Sequence, residues 1–133
     1  MKRIFVLSLF LALGFGLHAQ DDCSTAINLG PITTFCSATG AYTNVGATPS
    51  NFTTGNCFSN DSHDVWFRFV ATAPDINITV IGQTGVPAGG TLRGPEVALY
   101  RVTGNCQNFN QLQCETAPGI TNIVDLYRGG LII

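Results

Sequence analysis

The segment Asp64-Val65-Trp66-Phe67-Arg68-Phe69-Val70 leaves this chain few ways to fold. Successive side chains of an extended strand point to opposite faces. Val65, Phe67 and Phe69 therefore share one face, and Trp66, Arg68 and Val70 the other. β-Branched and aromatic residues suit a pleated, half-buried surface. The segment holds the only tryptophan and two of the nine phenylalanines of the chain. It is the expected central core strand of a β-sandwich.

The rest of the chain repeats this pattern in short pieces. Thr25 to Phe35 reads as a strand pair broken at Gly30-Pro31, and Ser37 to Val45 as a further strand. Ile76 to Ile81 alternates with Ile76, Ile78 and Val80 inward, and is expected to pair with the Trp66 strand. Pro95 to Val102 sets Val97, Leu99 and Arg101 against Ala98, Tyr100 and Val102. Gln111 to Glu115 and Ile120 to Tyr127 complete the series. Gly, Pro and Asn turns separate these runs, and no helical period exceeds about two turns. The fold class is all-β: a disulfide-stapled antiparallel β-sandwich, jelly-roll-like. Loops at 47–62, 82–94 and 104–114 are expected to form its contact surface. Strand-like residues have just begun at Leu131-Ile132-Ile133. The module over residues 20–133 is therefore expected to be a fragment that lacks its last strand.

Residues 1–19 read as a cleavable signal peptide. Lys2 and Arg3 precede an apolar run from Ile4 to Leu17, and Leu17-His18-Ala19 ends on a small residue. The run is short of the about 20 apolar residues that a spanning helix needs. Secretion or display on the outer cell surface follows. The mature chain keeps four arginines, no lysine and all eight acids, a net charge of −4. Such a surface neutralises few phosphates, which argues against nucleic acid as a partner. An extracellular glycan, a protein or neighbouring domains remain as partners.

All five cysteines fall in the exported part, where disulfides are the default. Cys106 and Cys114 flank an Asn/Gln-rich stretch and are expected to staple a hairpin. Among Cys23, Cys36 and Cys57 one pair is expected, with Cys36–Cys57 preferred. The odd cysteine is either a free thiol or has a partner outside the chain. Zinc lacks its usual ligand spacing, with no Cys-x-x-Cys and His63 as the one mature histidine.

Several short motifs together carry a family resemblance. They are Asp21-Asp22-Cys23-x-x-Ala26-Ile27-x-Leu29, Asp64-Val65-Trp66-Phe67-x-Phe69, Pro95-Glu96-Val97-Ala98-Leu99-Tyr100, Gly104-Asn105-Cys106 and Leu112-x-Cys114. The pattern resembles the β-sandwich modules repeated in large secreted and surface proteins of the Bacteroidetes. Those proteins often end in a gliding-motility or type IX secretion sorting domain. The module is similar to pre-peptidase C-terminal and jelly-roll-like accessory domains. The resemblance covers about Asp21 to Tyr127 and implies an accessory, non-catalytic role. Many such modules carry an acidic run after the second loop cysteine. Here Cys114-Glu115-Thr116-Ala117 holds a single acid.

Asn60, Asp61 and Asp64 supply clustered oxygens of the kind that calcium takes, and are the candidate metal ligands. The same residue types also form turns by local hydrogen bonding. Ser62-His63-Asp64 has the residue types of a hydrolytic triad, but a triad converges from separate parts of a fold. Cys57 with His63 would be a nucleophile–base pair if Cys57 were free, but such a cysteine is more often in a disulfide, and no other polar constellation marks an active site, so the chain is read as no enzyme. Tyr42, Phe52, Phe58 and Phe109 lie in or beside loops and are candidate anchors for a sugar ring or a partner domain. The competing reading is that they fold back over the core. Asn51, Asn60 and Asn77 begin Asn-x-Ser/Thr triplets, which an Asn- and Thr-rich surface produces by chance. The expected function is adhesion, carbohydrate or matrix binding, or spacing within a larger exported protein. The alternative is an accessory domain of a secreted hydrolase whose catalytic domain lies downstream.

Overall fold

The computed structural model describes residues 20–50, 58, 63–83, 91–117 and 122–130. The expected signal at 1–19 and the end of the chain at 131–133 lie outside the described residues. After a 3-10 turn at Cys23–Thr25 come six strands: β1 (Ile27–Ile32), β2 (Phe67–Ala71), β3 (Ile76–Ile81), β4 (Glu96–Thr103), β5 (Asn108–Thr116) and β6 (Ile123–Arg128). The fold is all-β. The strands form three pairs, β1 with β2, β3 with β6 and β4 with β5. The last two pairs are antiparallel, whereas β1 and β2 run parallel.

β1 carries Pro31, which has no N–H to give to a ladder, and among the described residues it pairs on one side only. A bulge between Asn28 and Gly30 breaks its register with β2. Gly30 sits there at φ 70°, a conformation that glycine adopts without strain. The Gly30 N–H donates to Asn28 Oδ1 at 3.1 Å and holds the bulge. Both ends of the pair are closed. Trp66 N–H donates to the Gln20 carbonyl at 2.9 Å, and Ile27 N–H to the Trp66 carbonyl at 2.9 Å. At the far end, Thr72 Oγ1 donates to the Ile32 carbonyl at 2.7 Å.

The expected pairing of Ile76–Ile81 with the Trp66 strand does not occur, since β3 pairs with β6 instead. Side-chain hydrogen bonds at the corner between β2 and β3 accompany that pairing. Thr72 ties the end of β2 to β1. Asp75 Oδ1 accepts the Gly130 N–H at 3.2 Å, which draws the start of β3 to the end of β6. The inward face expected for β3 is the observed one: Ile76, Ile78 and Val80 are half-buried and Asn77, Thr79 and Ile81 exposed.

The core also sits elsewhere than expected. Val124 and Leu126 of β6 are fully buried, and Leu99 of β4 and Ala47 are buried with them. β6 lies between its partner β3 and the β4–β5 hairpin, which it also contacts. β2 is less central. Phe67 and Val70, on opposite faces of the strand, remain 38% and 62% exposed.

The disulfide expectations are corrected. Cys23 is bonded to Cys106, across 83 residues of sequence. Cys114 takes part in a separate disulfide. Cys36 is a free, exposed thiol and so is not paired with Cys57. Cys106 and Cys114 do not bond each other because the stretch between them is strand, not loop. The turn occupies 104–107, and β5 starts at Asn108. At about 3.3 Å per residue, Cys114 lies roughly 20 Å along the strand from the turn. A disulfide needs Cα atoms within about 7 Å.

Replacing Leu126 with Ala is expected to cost about 2–5 kcal/mol of stability. Ile81→Ala, on the exposed face, should stay within about 0.5 kcal/mol. Urea unfolding with the disulfides intact compares the two. Peptide mapping after alkylation without reduction should find the label on Cys36 and none on Cys23, Cys106 or Cys114.

Candidate functional site

Trp66 stands just ahead of β2 and joins several parts of the chain. Its indole N–H donates into a Ser50–Asp64 pair, 2.6 Å from Ser50 Oγ and 2.9 Å from Asp64 Oδ2. The Ser50 hydroxyl is hydrogen-bonded to Asp64 Oδ2. Ser50 Oγ also lies 2.8 Å from the Asp21 carbonyl oxygen. The Ser50 N–H donates to Asp64 Oδ1 at 3.0 Å. Thr48 Oγ1 donates to Asp21 Oδ2 at 2.7 Å, while Asp21 Oδ1 is buried without a partner among the described residues. Asp64 thus fixes the segment that enters from Ser50 onto the start of β2. Its two oxygens meet an indole N–H, a hydroxyl and a backbone N–H.

That arrangement bears on the expected calcium ligands. Asn60 and Asp61 lie outside the described residues. Asp64 is described, and its carboxylate faces hydrogen-bond donors within the fold. Among the described residues, no group of three or more His, Cys, Asp or Glu converges.

The ring of Trp66 packs on the hairpin. Its centroid is 5.8 Å from Tyr100 of β4 and 5.6 Å from Phe109 of β5. Tyr100 and Phe109 meet edge to face at 6.1 Å. Such offset and edge contacts are the favoured aromatic geometries. Phe109 therefore folds back over Trp66, as the core-capping reading of the loop aromatics requires. Phe58 is half-buried, and Phe52 lies outside the described residues. Tyr42 behaves differently. It meets Phe67 edge to face at 4.8 Å, yet Tyr42 and Phe67 stay 40% and 38% exposed.

The expected contact loops are sharper than the sequence implied. The 104–114 loop shrinks to a turn at 104–107, with Gly104, Asn105 and Cys106 all at positive φ. Asparagine tolerates that region, and the bond to Cys23 helps hold Cys106 there. The 82–94 loop has a stapled neck. Asn122 Nδ2 donates to the Gln83 carbonyl at 2.7 Å, and Asn122 Oδ1 accepts the Gly94 N–H at 3.0 Å. Gln83 N–H donates to the Leu92 carbonyl at 2.8 Å. A Cβ on Gly82 would lie 2.3 Å from the Leu92 oxygen, so the neck requires glycine there. Residues 84–90 lie outside the described residues.

Sequence reasoning missed one surface. The β3–β6 register sets Asn77 opposite Tyr127, Thr79 opposite Asp125 and Ile81 opposite Ile123. All six are exposed. Asp125-x-Tyr127 is visible as a strand alternation, but its partners depend on a pairing that the sequence does not specify.

No family model, no curated protein and no solved structure matches this chain.

Asp64→Ala leaves the Ser50 N–H without its acceptor and takes from the indole N–H one of its two, Ser50 Oγ remaining. The expected cost is about 1–3 kcal/mol. Trp66 is the only tryptophan, so its fluorescence reports the change directly. Trp66→Ala should cost about 3 kcal/mol or more.

Proposed function

We propose that this chain is an exported, non-catalytic β-domain whose surface serves adhesion or the binding of an extracellular glycan or protein. One observation carries the reading. Large apolar side chains left exposed outnumber those that are buried among the described residues. Phe35, Tyr42, Val45, Phe67, Val70, Ile81, Val102, Ile123 and Tyr127 are exposed, against Ala47, Leu99, Val124 and Leu126 in the core. Single exposed apolar residues are ordinary, but clustered ones mark contact surfaces. Tyr42 with Phe67 is one cluster, and Ile81 with Ile123 across the β3–β6 register is another.

Disulfides support the compartment. Cys23–Cys106 and the bonded Cys114 fit an oxidising environment. Among the described residues, no helix is long and apolar enough to cross a membrane. The resemblance to modules of Bacteroidetes surface proteins adds the expectation of a larger exported protein as the setting.

The unreduced protein is expected to bind at least one immobilised extracellular glycan or matrix protein. Reduction of Cys23–Cys106 should weaken that binding at least tenfold by loosening the frame. A glycan array and a matrix-protein panel, each probed before and after reduction, measure this. A folded protein that binds neither panel would leave only the spacer role.

A further inference from the structure

The geometry points to the outer face of the β3–β6 pair as a binding site for a neutral, hydroxyl-rich glycan chain, with Tyr127 as its stacking platform. This rests on the contact-surface reading above and names where and what that surface binds.

Position parity places Asn77, Thr79 and Ile81 on one face of the pair, with Ile123, Asp125 and Tyr127 beside them, and Asp75 and Gly129 adjoin the strand ends next to Tyr127. Val124 and Leu126, of opposite parity, fill the core, so this face looks outward. Tyr127 is 65% exposed. Asn77 stands directly across from it, and an amide both donates and accepts. One rung further, Thr79 Oγ1 donates to Asp125 Oδ1 at 2.6 Å. That bond orients the carboxylate and leaves Oδ2 to accept from a ligand.

The other side of Tyr127 has a gap. A Cβ built on Gly129 would come within 3.1 Å of both the Tyr127 hydroxyl and Asp75 Oδ1. Glycine there lets the phenol and the carboxylate approach one spot. Asp75 itself is held by the Gly130 N–H at 3.2 Å. Acceptors therefore flank the ring on both sides, along a strip that ends in Ile81 and Ile123.

Charge selects the ligand class. The face carries Asp75 and Asp125 and no cation. Arg128, the one basic residue of the two strands, is of opposite parity, and its Nε is buried. Anionic polymers are repelled. Asp75 and Asp125 lie about four rungs apart, roughly 13 Å along the strands, so negative charge is not focused as a cation would require. Carboxylates and an amide spaced on either side of one exposed aromatic ring match hydroxyl donors spaced along a sugar chain. The apolar face of a sugar ring lies flat on an exposed aromatic, and hydroxyl-to-carboxylate bonds are charge-assisted.

The test is affinity electrophoresis and calorimetry of the full unreduced chain against soluble β-glucan, xylan and mannan. Alginate and polylysine serve as anionic and cationic controls. At least one neutral polysaccharide is expected to bind, with little dependence on salt. Tyr127→Ala should weaken it at least tenfold, and Asn77→Ala and Asp125→Ala several-fold, while Thr103→Ala, at the exposed end of β4, leaves it unchanged. Unaltered Trp66 fluorescence certifies that each variant is folded. Loss in Tyr42→Ala with retention in Tyr127→Ala would place the glycan elsewhere and overturn this site while leaving the contact-surface reading intact. Binding of a matrix protein but of no neutral polysaccharide would do the same. Preference for alginate or polylysine would overturn the ligand class. A doubled mass in solution that Tyr127→Ala returns to a single chain would assign the face to a second copy and overturn the inference.

Discussion

Trp66 ties the β1–β2 pair to the segment that enters from Ser50 and to the β4–β5 hairpin. Its backbone links Gln20 and Ile27 to the start of β2. Its indole N–H enters the Ser50–Asp64 pair, and its ring lies on Tyr100 and Phe109 of the β4–β5 hairpin. The Cys23–Cys106 bond makes the same connection covalently, from the 3-10 turn before β1 to the turn between β4 and β5. In the chain-entropy account, closing a loop of this length stabilises by about 4–5 kcal/mol. Two-stranded sheets are marginal alone, so these cross-links between pairs hold the architecture.

A second constraint acts at β6. Its inward residues Val124 and Leu126 are the most buried large side chains described. Its ends are set by polar contacts, Asp75 with Gly130 at one end and Asn122 with Gln83 and Gly94 at the other. Both contacts reach back to β3 and the loop after it. A strand held in register at both ends cannot slip, and a slip of one residue would turn Val124 and Leu126 outward. The same rigidity fixes Asn77, Asp125 and Tyr127 relative to one another on the outer face. The packing that makes the core thereby also prepares a surface.

The chain divides its aromatic residues between these two tasks. Trp66, Tyr100 and Phe109 pack on one another and join elements. Tyr42, Phe67 and Tyr127 keep a large share of their surface in solvent. The cross-linking aromatic residues and the exposed ones are thus separate sets.

The sequence by itself determined the all-β class, the inward set Ile76, Ile78 and Val80, the importance of Trp66 and the disulfide chemistry. Each follows from local facts: side-chain alternation, β-branched and aromatic content, and cysteines in a chain read as exported. Only the tertiary structure decided which strands pair, which cysteines bond and where the core lies. β2 runs parallel to β1 and β3 crosses to β6, with Thr72 and Asp75 bonding at strand ends, and hydrophobic periodicity registers neither the pairings nor such bonds. The Asn/Gln-rich stretch after Cys106 resembles a loop in composition, yet a backbone ladder with β4 makes it β5, with one bulge that skips Leu112. That ladder carries Cys114 away from Cys106 and leaves Cys106 beside Cys23. The outer face of β3 and β6 joins residues about fifty positions apart, and their neighbourhood exists only once the register is set.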